Sequence, residues 1–126
     1  MSYKSILLIE DDETDQIIFT TVLKSLGPGF TCTILDDADI ALYQLDTAEI
    51  TADLIFLDVR IPGMTGIEFL RELRSNEALS QTPVVVMAGL PDDNDARECK
   101  ALGALGYIIK PTRYDELRKI LSSILL

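Results

Sequence analysis

Four short apolar runs without polar alternation limit most strongly how this chain can fold. They occupy residues 6–9, 54–57, 84–88 and 107–109. A strand with one wet face would carry polar side chains at every second position, so these runs predict strands covered on both faces, as in a parallel sheet. Residues 30–35 alternate in part between apolar and polar side chains, which predicts an edge strand with one wetter face.

Between these runs, apolar residues recur at helical spacing. Five stripes follow the runs along the chain: Phe19/Val22/Leu23/Leu26, Ala38/Ala41/Leu42/Leu45, Phe69/Leu70/Leu73, a weaker one over 93–102, and Leu117/Ile120/Leu121/Ile124/Leu125. The first of these five apolar stripes ends just before Gly27–Pro28, a pair that predicts the end of a helix. Strand followed by helix, repeated five times, predicts an α/β fold with an open parallel sheet and helices on both faces. Without a linker or repeat in the pattern, we expect one domain over 1–126 and no output domain.

The charge and residue usage exclude several classes of function. The 126 residues include 11 Lys and Arg against 21 Asp and Glu, a formal charge of −10, and no His. Without His there is no Ser-His-Asp or Cys-His catalysis, and the negative charge disfavours direct binding to nucleic acid or an anionic membrane. Since no apolar run approaches the ~20 residues of a membrane span, we expect a cytoplasmic protein with Cys32 and Cys99 as free thiols.

Charged side chains follow the predicted strands at the points where they end. In an open α/β sheet, ligands gather at the carboxyl ends of the strands. The first strand is followed by Glu10–Glu13, the third by Asp58, the fourth ends in Ala88–Gly89, and the fifth is followed by Lys110–Pro111. We therefore expect carboxylates from two strands and one lysine to converge at one edge of the sheet.

This convergence predicts a site for a metal ion and a phosphoryl group. Crowded carboxylates stay ionised at neutral pH only with a cation among them, and oxygen ligands without His or thiolate favour Mg²⁺ or Mn²⁺. Asp58 is then a candidate nucleophile, with Lys110 to neutralise charge on phosphoryl oxygens. The neighbouring acidic residues Asp12, Glu13 and Asp15 are interpreted as solvated positions at a strand end.

The chain resembles the receiver domain of bacterial two-component response regulators from about residue 4 to residue 126. The motifs that carry the resemblance are LLIEDD at 7–12, DLIFLDVRIPGMTGIEFL at 53–70, TPVVVMAG at 82–89 and GYIIKP at 106–111. Each motif alone is modest, but all four in order and at the proper spacing are specific. The resemblance implies a flavodoxin-like, doubly wound, five-stranded parallel sheet of strand order 2-1-3-4-5.

The resemblance also implies roles for single residues. Asp58 matches the residue that receives a phosphoryl group from a histidine kinase or a histidine phosphotransfer protein. Glu10 and Asp11 match the acidic pair that holds Mg²⁺, together with Asp58 and the backbone carbonyl of Arg60. Lys110 matches the family's lysine at the phosphoryl site. The implied protein is a signalling molecule that catalyses its own phosphorylation and dephosphorylation, rather than an enzyme with a free substrate.

Two further positions bear on how phosphorylation would be transmitted. Tyr107 matches the family's aromatic switch residue, and the bond between Lys110 and Pro111 is expected to be cis. Ala88 departs from the family, because it stands where a Thr or Ser normally donates a hydrogen bond to the phosphoryl group. A missing neutral donor is expected to cost about 0.5–1.5 kcal/mol.

The sequence leaves several hypotheses open. One is a stand-alone receiver that docks to another protein through its fourth helix, fifth strand and last helix, with the tail 124–126 as a candidate contact with a second copy. Another, motivated by Ala88, is a degenerate receiver that binds its partner regardless of phosphorylation. A flavodoxin-like electron carrier is disfavoured, since the acidic residues after the first strand would repel a flavin phosphate. A haloacid-dehalogenase-type phosphatase would need an Asp where Arg60 stands.

Overall fold

The computed structural model describes residues 2–126 and contains five strands that alternate with five helices. The strands are β1 (Ser5–Ile9), β2 (Thr31–Leu35), β3 (Leu54–Asp58), β4 (Val84–Ala88) and β5 (Gly106–Ile109). The helices are α1 (Glu13–Ser25), α2 (Ala38–Asp46), α3 (Gly66–Ser75), α4 (Asp93–Ala101) and α5 (Tyr114–Leu125). The predicted alternation is confirmed, and α1 ends at Ser25 with Leu26 as its C-cap, directly before the glycine that signalled its end.

All five strands form one parallel sheet in the order β2-β1-β3-β4-β5. This is the expected flavodoxin-like order. β1, β3 and β4 are almost entirely buried, whereas β2 lies at an edge with exposed and half-buried side chains in alternation, as predicted. The strand order reverses beside β1. The carboxyl end of β1 therefore borders the crevice where such sheets bind ligands.

Successive strand residues contribute to two cores, one on each face of the sheet. Leu7 and Ile9 pack with α2, α3 and α4, whereas Ile6 and Leu8 pack with α1 and α5. This division follows from the pleat, which turns neighbouring side chains to opposite faces. Because helices cover both faces of the sheet, the strands have no face in water that would require polar side chains. This explains the apolar runs in the sequence.

Side-chain caps fix where most of the helices begin. The Asp12 carboxylate accepts a hydrogen bond from the backbone N–H of Asp15, and Thr65 caps α3 in the same way through Glu68. Such caps satisfy amide groups that have no partner within the helix. They hold the first turns of the helices beside the strand ends that precede them.

The peptide bond between Lys110 and Pro111 is trans, since residues 2–126 contain no cis peptide bond. The prediction of a cis bond, which rested on the resemblance, is therefore wrong. The trans form is favoured by about 0.5–1 kcal/mol even before proline. The backbone N–H of Lys110 also donates to the Ala88 carbonyl at 2.7 Å, which keeps this residue aligned with β4.

Cys32 is half-buried in β2, Cys99 is buried in α4, and both are free thiols. None of the helices in the described part of the chain combines the length and apolar character that crossing a membrane requires.

Candidate functional site

Three charged side chains meet at the carboxyl edge of the sheet. Glu10 follows β1, Asp58 ends β3 and Lys110 follows β5. The Lys110 amine donates to Glu10 Oε1 at 2.5 Å and to Asp58 Oδ2 at 2.6 Å. Both carboxylate residues are buried, at 1% and 6% relative exposure. The structure thus brings together the residues that the strand ends predicted to converge.

The loop that follows β3 holds Asp58 tightly. The backbone N–H of Arg60 donates to Asp58 Oδ1 at 3.0 Å. The backbone N–H of Gly66 donates to the Val59 carbonyl at 2.7 Å. A Cβ atom at Gly66 would lie only 2.7 Å from the Asp58 carbonyl oxygen, so this position requires glycine. The close approach holds the backbone of Asp58 against the start of α3.

Glu10 is fixed by contacts with the start of α1 and with β2. Its backbone N–H donates to the Leu35 carbonyl at 3.0 Å, and its own carbonyl accepts from Gln16 Nε2 at 2.7 Å. The pKa of Glu10 is raised to about 7, chiefly by burial; the hydrogen bond from Lys110 opposes the rise, and the neighbouring Asp58 adds to it. Three carboxylates, those of Glu10, Asp15 and Asp58, share the single ammonium of Lys110, so negative charges outnumber positive ones among these contacts.

Lys110 remains an ammonium in these surroundings. Burial lowers the pKa of its amine, but hydrogen bonds to Asp58, Glu10 and Asp15 outweigh that effect and raise the pKa above its ordinary value. A charged amine beside a buried carboxylate can stabilise negative charge that develops there.

Three carboxylates form a group that suits a metal ion. Glu10, Asp11 and Asp58 each offer an oxygen, and these oxygens all lie within 4.8 Å of one another. Asp11 is exposed, whereas the other two are buried. A donor set made of oxygen alone fits a hard cation such as Mg²⁺ or Mn²⁺. The Arg60 carbonyl, expected as a further ligand, belongs to the same loop as Asp58.

Ala88 ends β4, and Tyr107 lies in the neighbouring edge strand β5. Ala88 is buried at the end of β4, and the cleft beside Asp58 that it lines has no Ser or Thr among its described residues. Tyr107 packs against the core beneath α4. Its hydroxyl is buried and finds no hydrogen-bond partner within residues 2–126.

The sequence interpretation missed Asp15. This residue was taken as solvated, but its Oδ2 atom accepts a hydrogen bond from the Lys110 amine at 3.0 Å. It lies in the first turn of α1, three residues after the Asp12 cap. Helical side chains lean toward the amino end of their helix, and here that end faces the strand ends. The Asp12 cap, visible in the sequence, marks where α1 begins and could have predicted that the Asp15 side chain leans toward the strand ends.

Comparison with known proteins identifies the family. The model of the response regulator receiver domain matches residues 6–122, so this chain belongs to the response regulator receiver family. It is 32% identical over 120 residues to the chemotaxis protein CheY of Pseudomonas aeruginosa, covering 94% of each chain. It is 33% identical over 115 residues to the regulatory protein AtoC of Escherichia coli, covering 91% of this chain but 24% of that protein. The chain thus spans about a quarter of AtoC's length.

Solved structures show the same fold. The Mn²⁺-bound form of response regulator Rcp1 superimposes with a TM-score of 0.88 at 28% identity, covering 97% of this chain and 94% of Rcp1. The phosphorylated cyanobacterial phytochrome response regulator RcpA also gives 0.88, at 26% identity, covering 98% and 91% of the two chains.

Proposed function

We propose that this receiver accepts a phosphoryl group on Asp58 from the phosphohistidine of a histidine kinase or a histidine phosphotransfer protein. The contact that carries the proposal is the Lys110 amine, 2.6 Å from Asp58 and 2.5 Å from Glu10. An ammonium in this place neutralises charge on the incoming phosphoryl oxygens. Membership of the family supports the same assignment.

The transfer forms one bond and breaks another. One carboxylate oxygen of Asp58 attacks phosphorus, the bond from phosphorus to the donor's imidazole nitrogen breaks, and the imidazole keeps the electron pair. Hydrolysis later reverses the modification: water attacks phosphorus, the Asp58 carboxylate leaves, and the proton from water passes to phosphate or solvent. The protein is in this sense its own substrate, and its output is the modified state.

A divalent cation is part of the proposal. Glu10, Asp11 and Asp58 are the side chains to hold Mg²⁺ or Mn²⁺, with the Arg60 backbone carbonyl as a further ligand. The bound ion supplies charge neutralisation and orientation to the phosphoryl oxygens. The structurally similar Rcp1 is known in a Mn²⁺-bound form, and RcpA in a phosphorylated form.

Signalling is proposed to occur in the cytoplasm by docking to a protein rather than to nucleic acid or a membrane. The expected surface is formed by α4, β5 and α5, where Ile109 and Tyr114 are exposed. Tyr107 is proposed to couple the phosphoryl site to this surface. A second copy of the chain is a further proposed partner, which would contact the exposed Leu126.

Ala88 favours one alternative, a receiver that binds its partner whether or not it is phosphorylated. The cleft beside Asp58 lacks a side-chain hydroxyl in the part of the chain described, so a link from phosphoryl group to Tyr107 through such a group is missing. Partner affinity that stays the same after phosphorylation would favour this alternative.

The decisive test is incubation with acetyl phosphate and Mg²⁺, followed by intact-mass measurement. We expect the mass to rise by one phosphoryl group and the gain to disappear after hydroxylamine, which cleaves acyl phosphates. Asp58→Asn should show no gain. Glu72→Gln, which removes an equal charge from the exposed side of α3, is the matched control and should behave as wild type. Absence of any gain in the wild-type protein would contradict the proposal.

A further inference from the structure

We propose that Asp15 is a positioning residue that holds the Lys110 ammonium at the phosphoryl site. This inference rests on the proposed function and adds a residue for which neither the motifs nor the predicted metal site provides a role. Its basis is the hydrogen bond from Lys110 Nζ to Asp15 Oδ2, at 3.0 Å.

The geometry divides the partners of Lys110 into two kinds. An ammonium has three N–H donors, and here they reach Glu10, Asp58 and Asp15. Glu10 and Asp58 also belong to the group of carboxylates that fits a metal ion, whereas Asp15 does not. When the first two are engaged by cation and phosphoryl group, Asp15 remains free to hold the amine.

Asp15 is itself held in place. Its backbone N–H donates to Asp12 Oδ1 at 2.8 Å, and the next residue, Gln16, donates through Nε2 to the Glu10 carbonyl at 2.7 Å. The first turn of α1 is thereby tied to the end of β1. The Asp15 carboxylate reaches Lys110 from α1, an element separate from the loop after β3.

The aliphatic part of Lys110 also has a defined path. It borders a small cleft that Asp15 shares with the apolar side chains of Ile18, Met87 and Leu117. A lysine stem packs well against such a surface while its charged end stays at the polar rim. Asp15 at this rim limits the directions that the ammonium can take.

The expected effect on the reaction is moderate. The Asp15 side chain is 41% exposed and that of Lys110 is 22% exposed, so water screens the ion pair in part. Loss of one charge-assisted hydrogen bond in such a setting is expected to slow phosphorylation about three- to tenfold. The amine would still be present, but in its productive place for a smaller fraction of the time.

The test compares Asp15→Asn and Asp15→Glu with the control Glu13→Gln. Glu13 is exposed in the same helical turn and carries the same charge, so its replacement reproduces the general electrostatic change. The first readout is the nitrogen-15 NMR signal of the Lys110 ammonium in metal-free protein, assigned by its loss in Lys110→Arg. The second is the rate of phosphorylation by acetyl phosphate at saturating Mg²⁺.

We expect Asp15→Asn to shift or broaden the ammonium signal and to slow phosphorylation, Asp15→Glu to restore both in part, and Glu13→Gln to change neither. Equal slowing by Asp15→Asn and Glu13→Gln would overturn the inference, as would an altered NMR signal with an unchanged rate. A wild-type protein that takes up no phosphoryl group would refute the proposed function instead, and the positioning role with it. The NMR signal would then report the ion contact alone.

Discussion

The two ends of the sheet use charged side chains in opposite ways. At the amino end, Arg74 donates to four backbone carbonyls, and Asp53 accepts from the backbone N–H groups of Lys4 and Ser5. The four carbonyls that Arg74 serves belong to Ser80, Thr82, Leu102 and Gly103. At the carboxyl end, charged side chains contact each other: three carboxylates contact a single ammonium, and a fourth, that of Asp11, lies beside two of them.

We interpret this difference as one between charges that stabilise the fold and charges proposed to serve the phosphoryl site. A charge matched to peptide groups is satisfied in the folded chain and has nothing further to bind. An excess of one sign, held by buried residues, costs stability until a counter-charge arrives, and such an excess marks a binding site. Stability and phosphorylation measurements on matched variants can test that distinction.

The largest effect is expected for Lys110→Met at the carboxyl end. Removing the ammonium leaves the buried Glu10 and Asp58 carboxylates without their partner, so the free energy of unfolding at pH 8 should fall by about 2–4 kcal/mol. Mg²⁺ should recover part of this loss, because a cation again faces the carboxylates. Urea unfolding with and without Mg²⁺ measures both. A loss that Mg²⁺ leaves unchanged would contradict the distinction between the two ends.

A slightly smaller loss is expected for Arg74→Met at the amino end. Its hydrogen bonds to the carbonyls of two loops would disappear, which should lower the free energy of unfolding by about 2–3 kcal/mol. Mg²⁺ should not recover this loss, and phosphorylation should continue at the wild-type rate at temperatures where the variant is folded.

Arg71→Met is the matched control for that variant. Arg71 lies one turn earlier on α3, and its ion pair with Glu98 has side chains 56% and 48% exposed. We expect a change within about 0.5 kcal/mol, since exposed pairs contribute little. Equal destabilisation by the two arginine variants would show that backbone contacts at the amino end have no special weight.

The free energy of unfolding should depend on pH through the Glu10 carboxyl group. The pKa of Glu10 is raised from 4.5 to about 7 in the folded protein, chiefly by burial. Between these values the folded state keeps a proton that the unfolded state has released, so the stability contributed by this proton is lost as pH rises through 7. We expect the free energy of unfolding of the metal-free protein to fall by about 2–3 kcal/mol from pH 5 to pH 8 through this group. Urea titrations should show a flatter profile for Glu10→Gln, and an identical slope would contradict the assignment.

The smallest effect is expected for Ala88→Thr. A hydroxyl at the end of β4 adds a neutral donor beside Asp58, worth about 0.5–1.5 kcal/mol, and phosphorylation should therefore accelerate about two- to tenfold. Ala88→Val has the same shape without the hydroxyl and should show no acceleration. Stopped samples analysed by intact mass give the rates. Equal rates for the Thr and Val variants would mean that the hydroxyl has no use in this crevice.

The sequence predicted the edge of the sheet where the site lies because strand ends are visible as the ends of apolar runs. Glu10, Asp58 and Lys110 could be placed together from that rule alone, whereas the strand order came from the family resemblance. The isomer of the Lys110–Pro111 bond could not be read from residues, since the two forms differ by less than about 1 kcal/mol before proline. Asp15 and Arg74 were not assigned, because their contacts depend on helix direction and on loops far apart in sequence.

The contact between Gly66 and the Asp58 carbonyl gives α3 a mechanical role. Nothing larger than a hydrogen atom fits between the two backbones, so a shift of β3 toward this helix must push the helix along with it. The opposite end of the same helix carries Arg74, whose guanidinium donates hydrogen bonds to the segments that precede β4 and β5. Helix α3 therefore connects the backbone of Asp58, at the carboxyl end of the sheet, with the segments that precede β4 and β5 at the amino end.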